Sequence, residues 1–201
     1  MADPRTAEPP AARGSQPARR LPRTERREQI LAAATRAFAR SGFAATSLDA
    51  VAAEAGVTHV ILYRHFASKA DLYRSVLNRT YSLLADTVGT DHFDDTSIPT
   101  LLRAATADPD GFRLLFRHAA TEPEFRDVVD TLRSTSTAIT HRHLADAIPD
   151  PRWRDWAARL VPTVAIEAVI AWLDAGRPDP DHATDRINRA IDGVIQAAHT
   201  H

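Results

Sequence analysis

From Thr24 onward the apolar residues recur three and four positions apart, the repeat of one face of an α-helix. Ile30, Leu31, Ala34 and Phe38 make the first such stripe, with Thr24 as its predicted N-cap and Gly42 as its end. A second helix is predicted from Thr46 and Ser47 to Gly56, and a third from a Thr58 cap through Phe66. Ser68 caps a fourth, which turns Leu72, Val76 and Leu77 inward and runs to about Val88. The rear half repeats one start signal: Asp108-Pro109, Asp150-Pro151 and Asp179-Pro180, with Thr121-Glu122-Pro123-Glu124 as a further start. Asp caps free amides there, and Pro suits the first helical position because its missing N–H is one of the orphans. No valine-rich alternating segment occurs, so the fold class is all-α.

The rear stripes give candidate surfaces. Phe112, Leu115, Phe116 and Ala119 share a face, and Arg113 and Arg117 point away from it. After Glu122, the residues Phe125, Val128, Val129, Leu132, Ser136, Ile139 and His143 share another face. Ser136 and His143 are its polar interruptions: they suit the polar group of a small molecule in an otherwise aromatic pocket, or they are satisfied buried polar residues. The pocket set is therefore Phe112, Phe116, Phe125, Ser136 and His143. Trp153 and Trp156 cover such a cavity or pack beside it. Ile187, Ile191, Val194 and Ile195 follow one helical face, and the broad apolar surface from Ile166 to Leu173 needs partners on more than one side. These features predict either a homodimer through the last two helices or a helix buried inside a monomer, and the dimer is the expected one. Pro162 predicts a kink near Leu160–Pro162.

Composition narrows the class. The 201 residues carry 25 basic and 26 acidic side chains and no cysteine, which removes disulfides, thiolate metal sites and a cysteine nucleophile. The balance is uneven: residues 1–80 are net +6 and residues 81–201 net −7, so the front is the half suited to a polyanion. Residues 1–22 hold five of the 13 prolines and few large apolar groups, which predicts a disordered arm. Its basic end, Arg19, Arg20 and Arg23, continued by Arg26 and Arg27, either solubilises the chain or touches nucleic-acid phosphates. No secretory leader or long uncharged apolar span is evident, so a soluble, cytoplasmic protein with no membrane partner is expected. His141 and His143 lie two apart and face different sides of a helix, and His199 and His201 sit at the terminus. No metal site and no cofactor are expected. Neither a GxSxG elbow nor a phosphate-binding glycine loop occurs, and no acid–base constellation points to an enzyme.

The informative stretch is TSLDAVAAEAGVTHVILYRHF, residues 46–66. Two short helices joined at Gly56 make a helix-turn-helix unit, with Ala52 small enough for close approach and Gly56 free to take a positive φ. Val51, Val57, Leu62 and Phe66 face inward, leaving Thr58, His59 and Tyr63 outward, where they suit a groove of DNA or fill an edge of the core. Val60 and Ile61 suit thymine methyl groups if they reach the base edges.

From Thr24 to about Leu84 the chain resembles the DNA-binding domain of the tetracycline-repressor (TetR) family of transcriptional regulators. The matching positions are Ile30-Leu31 through Phe38 to Gly42, Thr46-Ser47 and Ala52 to Val57. They continue through Leu62, Tyr63, His65, Phe66, Ser68, Lys69 and Leu72. Val60 and Ile61 depart from the commonest family pattern and bear on base preference. The resemblance implies phosphate contacts at Thr46, Ser47 and Lys69, and base or backbone contacts at Thr58, His59 and Tyr63 with His65 beside them. It also implies a homodimer on a near-palindromic double-stranded operator, with a small-molecule effector held by the rear helices. The expected organisation is an arm over 1–22, a DNA-binding domain over 23–84, and a ligand-binding and dimerisation domain over 85–201. The expected function is a ligand-responsive repressor released from its operator by a small molecule. The alternative is a helical binding or scaffold protein without operator recognition.

Overall fold

The computed structural model describes residues 21–89 and 93–199, and every regular element in that span is helical. Most of the arm, residues 1–20, lies outside the described residues. Four helices make the front: α1 (Arg23–Ala45), α2 (Leu48–Glu54), α3 (His59–His65) and α4 (Lys69–Val88). Five make the rear: α5 (Ser97–Ala107), α6 (Pro109–Arg113), α7 (Arg126–His143), α8 (Pro151–Asp174) and α9 (Ala183–His199).

Local chemistry explains most boundaries. Ser47, Thr58 and Ser68 each accept a backbone N–H three residues on, capping α2, α3 and α4. Thr24 does not cap α1; Pro22 holds that position and contributes no side-chain bond. Gly42 takes φ +74°, which breaks the regular run of α1 before its last turn. At the α2–α3 turn Gly56 has φ +61°, and the Val57 N–H reaches back to the Ala52 carbonyl at 3.0 Å. Asp108 and Asp150 cap as expected. Asp179-Pro180 opens only one short 3-10 turn, and α9 starts at Ala183. Two elements depart from the pattern. α5 has no start signal of the Asp-Pro kind, and α6 loosens at Leu114 into a π turn through His118. Two 3-10 turns, Ala119–Thr121 and Pro123–Phe125, then delay α7 to Arg126.

One continuous apolar core runs from Ile30 on α1 to Ile187 on α9, so front and rear share their packing. Their junction is aromatic. Phe43, Tyr73 and Phe125 meet in a triangle with ring centres 4.5–5.0 Å apart, a spacing at which such rings attract beyond simple burial. Polar ties brace it: Arg74 of α4 binds Asp127 of α7 at 2.6 Å and the Glu124 carbonyl at 2.8 Å. Arg79 spans Glu28 of α1 at 2.8 Å and Asp108 at 3.8 Å.

Candidate functional site

The outward side of α2 and α3 forms one candidate surface. Val60 is 63% exposed and Tyr63 51%, values too high for residues that complete a core edge. His59 stacks near Tyr63 with ring centres 4.8 Å apart, and its Nδ1 lies 3.5 Å from Asp49 at the start of α2. Thr58 and Ser47 are exposed at the two helix starts, where backbone amides and hydroxyls lie together, the arrangement that accepts a phosphate. Ile61 packs against the core rather than outward, so of the two methyl-reading candidates only Val60 is presented. His65 is half-buried. Burial first, then the charges of Arg23, Arg27 and Arg26, hold its pKa below the ordinary histidine value.

Two expected phosphate contacts, Thr46 and Lys69, have partners within the chain. Thr46 is only 4% exposed, and its hydroxyl donates to the Gly42 carbonyl at 2.7 Å. Its side chain therefore closes the end of α1 and does not face outward. The Lys69 ammonium donates to the carbonyls of Phe43, Ala44 and Thr46 at 2.8, 3.2 and 3.1 Å, and lies 4.5 Å over the Phe43 ring. An ammonium has three N–H donors, and all three are committed. Lys69 is a clamp on orphaned carbonyls at the end of α1, not a free cation.

The second surface is internal. A cavity of about 380 Å³ lies between α4, α5, α7, α8 and α9, within the size range of small-molecule sites. Apolar walls come from Leu84, Val88, Leu101, Ile139, Ala165 and Ile166, with Phe116 contributed by the π turn. Tyr81, Thr135, Ser136, Thr140, His143 and Asn188 supply polar groups, and Asp94, Asp95 and Asp192 also line it. Among the described residues no lysine or arginine does. Phe116, Ser136 and His143 are thus where the sequence pattern put them. Phe112 and Phe125 are not: Phe112 is buried beside Phe116 at 4.7 Å without lining the cavity, and Phe125 is fully buried in the junction triangle. Pro162 lines the cavity, and lacking an N–H it cannot give the Ala158 carbonyl its usual helical bond.

Three of the four α9 stripe residues face inward in this protomer. Ile187 is buried in the chain's own core, and Ile191 and Ile195 line the cavity. They serve the interior of one protomer. Of the four, only Val194 neither lines the cavity nor packs in a core cluster; it adjoins exposed Ala190, Gly193 and Ala197. The outward face of α8 carries Trp153 and Trp156, 47% and 40% exposed, with Thr163, Glu167 and Ala171 exposed further along. α8 is long and apolar enough to cross a membrane by length and composition alone, yet it packs along both α7 and α9. Among the described residues, no three histidine, aspartate or glutamate side chains gather to hold a metal ion.

Geometry joins the two surfaces. α7 carries Ser136, Ile139 and His143 into the cavity, and its first turn carries Asp127 to Arg74. The ring of Phe125, just ahead of α7, touches Phe43, whose carbonyl receives the Lys69 ammonium. α4 lines the cavity through Tyr81 and Leu84, and its first residue, Lys69, holds the segment that leads into α2.

Residues 30–76 match the family described as bacterial regulatory proteins, tetR family. The HTH-type transcriptional activator FasR of Mycolicibacterium smegmatis is 32% identical over 206 residues, covering 96% of this chain and 90% of that protein. The HTH-type transcriptional repressor SCO4008 of Streptomyces coelicolor is 37% identical over 89 residues, 44% of this chain and 46% of its own length. Among solved structures, a TetR-like transcriptional regulator from Rhodococcus sp. RHA1 superposes with a TM-score of 0.71 at 23% identity. That likeness covers 86% of this chain and 96% of the other.

Proposed function

The chain belongs to the tetR family of HTH-type transcriptional regulators, and from that premise we propose that it is a homodimeric repressor released from its operator by a small molecule. The observation that carries this reading is the shared use of α4 and α7: both wall the cavity, and both are tied to the segment that sets α2 and α3. Ser47, Thr58, His59, Val60 and Tyr63 form the DNA-reading face, with residues 23–84 as the DNA-binding domain. Residues 85–201 hold the effector and the dimer contact. As such a regulator the protein acts in the cytoplasm and catalyses no reaction.

The cavity describes the effector. Its lining is apolar with hydroxyl and amide groups, and it offers carboxylates but no cation. The enclosed part of the effector therefore carries no negative charge, and it places a polar group at Ser136 or Asn188. An effector that fits better when the recognition helices are wrongly spaced shifts the population away from the DNA-bound form. Bound operator then weakens the effector by the same factor.

A mobility-shift titration with DNA from beside the protein's own gene tests the reading, paired with a reporter on that promoter. Binding together with a rise in reporter output on deleting the protein supports it. Binding with a fall in output makes the protein an activator. FasR, similar along nearly the whole chain and an activator by name, favours this second reading. Failure to bind that DNA and non-specific duplex alike sinks both.

A further inference from the structure

A shallow groove separates the first turn of α1 from the end of α3, and Leu21, Arg23, Arg26, Arg64 and His65 line it. Its chemistry is one-sided. Arg23 and Arg64 make no hydrogen bond or ion pair with any described residue, and Arg26 spends one N–H on the neutral Gln29 side chain at 2.8 Å. Arg27 differs, since its guanidinium lies over the Phe66 ring at 4.9 Å and reaches Ser75. Neither nearby carboxylate enters the groove: Glu25 is not among its lining, and Glu28 is paired with Arg79 at 2.8 Å. Three guanidinium groups held together with no counter-ion among the described residues repel one another, and such an arrangement persists at low cost only where it meets solvent or an anion.

We propose that this groove is a second DNA contact, a seat for a backbone phosphodiester beside the groove that α3 enters, and it rests on the DNA-binding reading above. Three features converge on an anion there. The first turn of α1, which has no side-chain cap, borders the groove, Arg23 and Arg26 belong to that same turn, and Arg64 arrives from α3 directly after exposed Tyr63. Guanidinium groups grip phosphate oxygens in paired fashion. The position of Arg64 ties the seat to the reading face, because one rigid seven-residue helix carries both Tyr63 and Arg64. The seat therefore fixes how far α3 is rotated about its own axis while Tyr63 and Val60 meet the bases. His65 supports the assignment. A neighbouring phosphate offsets the arginine charges that depress its pKa, so binding takes up protons and tightens as pH falls.

The test measures affinity for a non-specific duplex against sodium chloride. It compares wild type, the Arg23→Gln/Arg26→Gln double variant, Arg64→Gln, and a remote control, Arg152→Gln, at the exposed start of α8. Thermal melting of each variant checks that it is folded. The substituted arginines make no side-chain hydrogen bond or ion pair among the described residues beyond the Arg26–Gln29 bond, so little change in melting is expected. The salt slope should fall by about one unit for each cation that meets a phosphate, so by one to two for the double variant and about one for Arg64→Gln. The control should match wild type. Slopes and affinities like the control's in both groove variants overturn the proposal while leaving DNA binding intact. Wild type that binds no duplex overturns the proposal together with the reading beneath it. Inorganic phosphate provides the remaining arm. If it raises the melting temperature of wild type but not of the double variant, and the DNA salt slopes do not move, the groove is a free-anion site and the proposal fails.

Discussion

At the scale of single residues, the site is set by which polar groups are already committed. Lys69 looks like a phosphate contact in the sequence because a lysine beside a recognition helix is the ordinary solution to a nearby polyanion. Its three bonds to carbonyls at the end of α1 give it a different task. Lys69→Met should therefore cost about 1.5–3 kcal/mol in a urea melt, the range for hydrogen bonds to charged groups, and leave the DNA salt slope of the folded protein unchanged. A stable variant whose slope drops by one would restore the phosphate role. Tyr73 gives the opposite case. It is fully buried, its hydroxyl has no hydrogen-bond partner among the described residues, and burial pushes its pKa well above the usual tyrosine value. The folded state thus holds its proton where the unfolded chain gives it up. Its contribution is complete below about pH 10 and is lost as pH rises further. Tyr73→Phe removes an unsatisfied buried group, so stability at pH 7 should hold or rise by about 1 kcal/mol, and the loss above pH 10 should be shallower. Destabilisation at pH 7 would show that the hydroxyl has a partner.

At the scale of elements, the proposed coupling runs through α7. Asp127 on its first turn holds Arg74 in an exposed pair, so the pair adds at most about 1 kcal/mol to stability while linking a cavity wall to α4. Asp127→Asn should leave the melting temperature and effector-free DNA affinity near wild type. It should shrink the effector-induced loss of DNA affinity, a linkage of about 1–3 kcal/mol in most such systems. Unchanged release by effector would remove this tie from the coupling route. Gly111→Ala tests the neighbouring support: a Cβ there meets the Asp108 carboxylate and lies 2.9 Å from the Thr80 hydroxyl. A cost of about 1–3 kcal/mol, read by urea melt, is expected from that crowding. These elements also show what the sequence conveys. Caps and turn glycines are local chemistry, so Ser47, Thr58, Ser68, Asp108 and Gly56 were legible. α5 was not, because its start is organised by Asp94, whose carboxylate accepts from the Thr96 amide and hydroxyl, a turn without the Asp-Pro signature. Phe125 was misplaced for a geometric reason. A stripe assumes an unbroken helix, whereas the 3-10 turn over Pro123–Phe125 rotates that ring off the α7 face and into the junction with Phe43 and Tyr73.

At the scale of the whole molecule, the apolar stripe of α9 shows why periodicity alone cannot assign an interface. Ile187, Ile191 and Ile195 satisfy the pattern a dimer contact needs, and the same pattern serves a helix that walls its own protomer's cavity. Which neighbour a face meets is decided by packing that sequence spacing does not contain. The surfaces left for a second copy are the outward side of α8, with Trp153 and Trp156, and the adjoining edge of α9 at Ala190, Gly193, Val194 and Ala197. In the proposed dimer two equivalent copies of α3 need half-sites related by a two-fold axis, which is the physical reason to expect a near-palindromic operator. Gly193 isolates this contact. A Cβ at Gly193 meets nothing within 4 Å in the protomer, and replacing a mid-helix glycine favours the helix by several tenths of a kcal/mol. Gly193→Arg should therefore keep the protomer folded while placing an unpaired charge at the proposed contact. Sedimentation at micromolar concentration should show wild type as a dimer and the variant shifted to monomer, with operator affinity falling while helical content by circular dichroism is retained. Ile191→Phe serves as the internal contrast, since it fills the cavity and should weaken the effector without changing the mass. A dimeric Gly193→Arg protein would place the contact away from this edge of α9, and a monomeric wild type would remove the two-fold operator along with it.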